Sequence, residues 1–255
     1  MSITVLALRL AAPLQSWGGR SSFNRRETRP EPTKSGIVGL LAAASGIRRG
    51  DPIGELLNLR LGVRTDQPGS LLRDYHTASD YRGGAMPSAQ VNAKGLQKKT
   101  SPPKETYVTE RFYLQDAVFV AAITGPADVL DALDAALRSP QFPLSLGRRS
   151  CPPTGPLVLG MFTTSLEDVL RTLPWQAAEH HQRRHRKATT IRVPATIEDA
   201  AGDDSAWDVP SSFSLHARTF SARLVRHEWI TLPTGTTAAP EQAGSAHDPF
   251  DLLGA

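Results

Sequence analysis

The sequence predicts an α+β protein whose first 160 residues or so follow the ferredoxin-like order of strand, helix, strand, strand, helix, strand. Three observations carry this prediction. Ile3 to Leu10 alternates between two faces and is bounded by Pro13, as a strand is. Ile37, Leu40, Leu41 and Ala44 fall at i, i+3, i+4 and i+7, the spacing of one buried helix face. Val129, Leu130, Leu133 and Leu137 share one face of a second helix, opened by Pro126 and ended by Pro140.

After the first strand comes a loop, Leu14-Gln15-Ser16-Trp17-Gly18-Gly19-Arg20, then a polar, basic run through Arg25 and Arg26 to Arg29. A tryptophan beside two glycines and an arginine can serve as a stacking surface or as a lid on the core. The first helix starts near Thr33, with Thr33 or Ser35 as N-cap and Gly46 as its left-handed stop. Gly36, Gly39 and Ala43 give it a second face almost without side chains, open to another backbone or a ligand. Free amides at its start, with Lys34 and Ser35, suit a phosphate; the other reading is an ordinary core helix with a solvated lysine. It is not a phosphate loop, because Thr28 and Thr33 stand where that motif needs glycines.

Leu59 to Thr65 reads as the second strand, with Arg64 near its end. From Asp66 to Glu105 nothing periodic persists; this stretch, rich in Gly, Ser, Pro, Lys and Arg and containing Lys98 and Lys99, is expected to be a mobile basic arm. Tyr107 to Asp116 and Ala117 to Thr124 are strands, the second apolar enough to be central. After the second helix, a short strand around Leu144 leads into a tight turn, Gly147-Arg148-Arg149. Residues 161–233 are expected to form a smaller β-rich region, with a helix from Ser165 to Leu173 and strands at Thr190 to Ile197 and Phe213 to Leu232. From Thr234 the chain holds Glu241, Asp248 and Asp251 but no Lys or Arg, an acidic tail expected to be disordered.

With 40% hydrophobic residues, the 255-residue chain can bury a sizeable core. Its longest apolar run, Ile37 to Ala44, is too short to cross a bilayer, and no basic region precedes an apolar one at the start. A soluble, cytoplasmic protein is expected. Cys151 is the sole cysteine, so no internal disulfide forms; between Ser150 and Pro152-Pro153 it reads as structural. The formal charge is +4, yet residues 1–50 alone carry eight basic and two acidic residues, a net +6. That concentration fits a polyanion, most often nucleic acid, or else a solubilising surface.

Among chemical constellations, His181 and His185 have zinc-ligand spacing, but Arg183, Arg184, Arg186 and Lys187 would repel a dication, so no metal site is expected. Serine-hydrolase, zinc-protease and paired-cysteine motifs are absent. Asp74-Tyr75-His76 is the one local acid/base set, either part of a metal-independent RNA-cleaving site or a loop whose rings pack.

Three stretches, Pro13 to Gly18, Pro32 to Leu41 and Leu146 to Pro153, occur in an order and spacing that resemble the subtype I-E branch of the fifth Cas (RAMP) family. The resemblance covers roughly residues 1–160. It implies an RRM-like, ferredoxin-like fold and an RNA-binding subunit of the Cascade complex that caps the 5′ handle of the CRISPR RNA. The partners it implies are the neighbouring backbone subunit, met by a thumb at about residues 67–105, and the large subunit, with target DNA reached only through the complex. The RNA-binding set it suggests begins with Gln15, Ser16, Trp17, Arg20, Arg25 and Arg26, continues at the helix start with Lys34, Ser35 and Gly36, and adds Arg64. Tyr75 and His76 would stack on bases, Lys98 and Lys99 would lie on the arm, and Gly147, Arg148 and Arg149 would close the groove. Subtype I-C relatives cut repeat RNA with Tyr, Lys and His, but no lysine adjoins Tyr75 and His76 here. Binding without catalysis, cofactor or metal is therefore expected, with metal-independent endoribonuclease as the alternative.

Overall fold

The computed structural model describes residues 3–19, 24–80, 93–94, 105–213 and 219–235. In chain order its elements are β1 (Val5–Ala11), β2 (Leu14–Gln15), β3 (Arg25–Arg26), α1 (Lys34–Ala44), α2 (Gly54–Leu57), β4 (Arg60–Gln67), β5 (Ser70–Asp80) and β6 (Glu105–Gln115). There follow β7 (Val118–Thr124), α3 (Ala127–Arg138), β8 (Val158–Phe162), α4 (Leu166–Thr172), α5 (Glu179–Arg184), β9 (Thr190–Glu198), β10 (Asp204–Pro210) and β11 (Phe220–Pro233). The fold is mixed α+β, built on a seven-stranded sheet in the order β10-β11-β9-β4-β7-β1-β8 with antiparallel pairings.

Both faces of the central strands are buried. Leu6, Leu8, Leu10, Phe119, Ala121 and Ile123 point into a core shared with α1 and α3. Val5, Ala7, Val120 and Ala122 point into a second core with α4 and Trp175. Alternating side chains that find a hydrophobic layer on either side explain why these strands are almost uninterruptedly apolar. On the first face, α1 is capped as expected, with Thr33 Oγ1 accepting from the Gly36 amide at 3.2 Å. On the second, Ser165 caps α4, which lies so close to β4 that a Cβ on Gly62 would come within 2.5 Å of Leu166.

Three expectations need correction. No strand forms around Leu144; Pro140, Pro143, Pro152 and Pro153 break that stretch, and the strand completing this part of the sheet is β8, paired with β1. The segment read as aperiodic after Asp66 contains β5, which pairs along its whole length with β6. Exposed Leu71 and Tyr75 show why alternation was missing: β5 has no buried face to impose it. The strands expected in a separate C-terminal region instead extend the main sheet, since β9 pairs with β4 from Gly62↔Ile197 to Arg64↔Ala195. β10, at the end of that sheet, has no counterpart among the expected strands. Most of the basic arm, with Lys98 and Lys99, and nearly all of the acidic tail lie outside the described residues.

Among the described residues no helix is long and apolar enough to cross a membrane. Cys151 is 1% exposed, and burial pushes its thiol up from the ordinary cysteine range. A maleimide should therefore label Cys151 only as the protein unfolds in urea. Labelling of the native protein at the rate of a free thiol would contradict this burial.

Candidate nucleic-acid interface

The three motif stretches meet in space, and most of their side chains hold one another. Trp17 is fully buried and lies against α1 at Gly36, where a Cβ would come within 2.7 Å of the indole. The bare face of the helix is thus filled by tryptophan at this end. Trp17 Nε1 donates to Gln15 Oε1 at 3.1 Å, and Gln15 Nε2 donates to the Leu10 and Ala117 carbonyls at 3.1 and 2.7 Å. Ser16 Oγ donates to the Phe112 carbonyl. Gly147 has φ +91°, and a Cβ there would stand 1.7 Å from the Ser16 carbonyl oxygen, so only glycine fits. Gln15, Ser16 and Trp17 are therefore packing residues, and the expectation that they face RNA is corrected; Gly36 packs on Trp17 and also lines the end of a groove along α1.

Lys34 is corrected for a different reason. It is 4% exposed, and its Nζ donates to both carboxylate oxygens of Glu198 at 2.8 and 3.0 Å. The Lys34 amide donates to Asp208, which is held in turn by Arg223 at 2.7 and 3.0 Å. A carboxylate already occupies the positive end of α1 where a phosphate was expected. Lys34→Ala should lower stability by about 3 kcal/mol, because Glu198 would lose the nearer of its two buried cations, leaving Arg223 at 3.7 Å. Urea denaturation measures this, and an unchanged midpoint with weakened RNA binding would restore the phosphate reading.

Arg64 is likewise internal: its Nε and Nη2 bind Asp66 at 2.6 and 2.9 Å, and the guanidinium also donates to the carbonyls of Leu170, Leu173 and Pro174. It has no access to RNA.

The remaining expected residues lie at the surface or outside the described chain. Arg148 donates to the Phe112 and Arg26 carbonyls at 3.0 and 2.7 Å, with its guanidinium 4.6 Å from the Tyr113 ring centroid. It fastens the glycine turn to β6 and β3. Arg25 pairs with Glu27 and lies over Phe112, whereas Arg26 is exposed. Ser35 is half-buried, with its hydroxyl 3.2 Å from that of Thr33. Tyr75 is 65% exposed, and His76 Nδ1 lies 4.0 Å from Asp74. As neighbours on β5, Tyr75 and His76 point to opposite faces of the strand. Arg20, Lys98 and Lys99 lie outside the described residues.

A groove of about 710 Å3 runs along what is left of the bare face of α1. Gly39 and Ala43 line one wall, Phe142 to Ser145 and Gly147 the other, and Phe213 lies over Gly39 at ordinary contact distance, 3.7 Å from a Cβ there. Arg48, Arg49 and Arg149 also line it; all three are exposed, and none has a carboxylate partner among the described residues. Such a groove offers cations for phosphates and apolar rings for bases. The expected set had only Ser35, Gly36, Gly147 and Arg149 of this lining. Arg48 and Arg49 were visible as part of the basic N-terminal fifth, but no local pattern marks Phe142 or Phe213.

Among the described residues no group of three His, Cys, Asp or Glu side chains is placed to hold a metal. The His181 and His185 rings lie 5.0 Å apart against Trp175, and burial, followed by the charges of His185 and Arg184, holds His181 below the usual histidine range.

The family model described as CRISPR-associated protein (Cas_Cas5) matches residues 5–226. Over 169 residues the chain is 38% identical to the CRISPR system Cascade subunit CasD of Escherichia coli (strain K12), covering 61% of this chain and 70% of that protein. A solved chain described as CRISPR RNA-guided surveillance complex is 35% identical, with a TM-score of 0.71 and coverage of 93% of this chain and 95% of that one. A second, described as a Cas protein, is also 35% identical, with a TM-score of 0.64 and coverage of 90% and 95%. With a family match over most of its length and a shared fold at 35% identity, the chain belongs to the Cas5 family of CRISPR-associated proteins.

Proposed function

We propose that this chain is the CRISPR RNA-binding subunit of a type I-E Cascade complex and that it caps the 5′ handle in the groove beside α1. One observation carries the site: three exposed arginines without carboxylate partners among the described residues, Arg48, Arg49 and Arg149, line a groove with apolar rings to which the second and third motif stretches contribute. Phosphates would lie against the guanidinium groups, with splayed bases against Phe142 and Phe213. Arg148 positions the turn that carries Arg149.

The adjacent antiparallel strands β4-β7-β1-β8, with α1 and α3 on one face, support the ferredoxin-like, RRM-like reading of residues 1–160. The β5–β6 pair is the stalk of a thumb at about residues 67–105 that meets the neighbouring backbone subunit. The large subunit is the other partner, target DNA is met through the complex, and the setting is the cytoplasm. The protein binds RNA without cutting it, because Tyr75 and His76 face apart and cannot flank one scissile phosphate.

The test is binding of the purified chain to handle RNA and to a scrambled control across a salt series, with the samples also run on a denaturing gel in EDTA. Preference for the handle with intact RNA is the expected result. Cleavage in EDTA that disappears in His76→Ala would establish the endoribonuclease instead.

A further inference from the structure

We propose that the segment from Glu179 to Lys187 is a second nucleic-acid surface, separate from the groove, that takes the sugar-phosphate backbone of a duplex without reading its bases. The segment joins α5 to the turn that follows and bears Arg183, Arg184, Arg186 and Lys187, all exposed. Among the described residues only Arg183 has a carboxylate partner, Glu179. Its base, Trp175, belongs to the core on the α4 face of the sheet, whereas the groove runs along α1 on the other face.

A helix of six residues does not hold its shape unaided. Here the core holds it. The buried Arg64 guanidinium donates to the carbonyls of Leu170, Leu173 and Pro174, and its partner Asp66 accepts from the Gln176 amide at 2.6 Å. The Ala178 amide donates to Gln67, and Gln182 donates to the Ala177 carbonyl at 2.8 Å. His181 and His185 pack edge-on against Trp175, and His180 pairs with Asp116 at 2.7 Å. These contacts present a cluster of like charges on a rigid support although the charges repel one another.

The chemistry of the surface selects the partner. A stable protein interface has an apolar centre, and none of the exposed large apolar side chains among the described residues belongs to residues 175–192. Trp175, His181 and His185 stack inward, and the one exposed ring of the segment, His180, is held by Asp116 at 2.7 Å. Closely spaced cations without apolar or stacking groups suit phosphates whose bases are already paired.

The experiment compares the full chain with Arg184→Gln/Arg186→Gln/Lys187→Gln, titrating a short mixed-sequence DNA duplex and, separately, handle RNA over a salt series. The expected result is that duplex affinity falls by about tenfold or more and the salt slope by about two to three, with handle binding and thermal melting unchanged. Glu179→Gln, which releases Arg183, should shift duplex affinity the other way. Unchanged duplex binding in the triple variant overturns the proposal. So does a parallel loss of handle and duplex binding, which would mean one shared surface. Absence of duplex binding by the unaltered chain, with capture of an acidic polypeptide instead, overturns it in favour of a protein partner.

Discussion

Replacing Arg64 with methionine should destabilise the protein by about 3–5 kcal/mol, the largest effect expected of any single substitution described above. Both side chains of the Arg64–Asp66 pair are fully buried. Removing the guanidinium strands a carboxylate in the core, with the Gln176 amide left to solvate it, and leaves the Leu170 and Leu173 carbonyls without this donor, while Pro174 keeps the Gln176 side chain. Methionine fills much of the volume, so the loss is chiefly electrostatic and not a cavity effect. Arg64→Met/Asp66→Leu should regain part of the loss, because no uncompensated charge then remains buried. Urea melts of both variants measure the two effects, and a loss below about 1 kcal/mol in the single variant would mean that the pair is not buried as described. Limited proteolysis adds a second readout. Cleavage between Leu173 and Lys187 should appear in Arg64→Met at urea concentrations where the unaltered chain resists, since this pair holds that connector.

The second large effect concerns affinity. Arg48→Ala/Arg49→Ala/Arg149→Ala should weaken handle RNA binding by about thirtyfold to several-hundredfold near physiological salt and lower the salt slope by about two. Stability should hardly change, because all three side chains are exposed and lack carboxylate partners among the described residues. Lys34→Ala should show the reverse, a lower urea midpoint with unchanged affinity per folded molecule. Together the variants separate cations that meet RNA from cations that meet the core. If the triple variant keeps full affinity and slope, the handle lies elsewhere.

The contrast between Lys34 and Arg149 also marks the limit of what the sequence discloses. Elements that bury a face were the legible ones: β1, α1 and α3 lie where alternation or helical spacing put them, and β7 lies where a nearly continuous apolar run put it. β5 escaped because it buries neither face. At the site, residue type was a poor guide to role. Whether an arginine or lysine meets solvent depends on where its carboxylate partner lies, and Glu198 and Asp208 lie 164 and 174 residues along the chain from Lys34. Arg64 was the exception with a local sign, since Asp66 lies two residues on and therefore on the same face of the strand.

Trp17 and Gly36 show a subtler case. The small-residue face of α1 was correctly taken as a place of close approach. At Gly36 what approaches is the chain's own indole, and only from Gly39 onward is the face left open to a groove.

Photo-crosslinking of a handle RNA carrying 4-thiouridine, followed by mass spectrometry of the attached peptides, tests the placement of the handle most directly. Crosslinks to peptides containing Phe142, Arg149 or Phe213, lost when unlabelled handle competes, are the expected result. Crosslinks confined to β9, β10 or α5, with none along the groove, would contradict it.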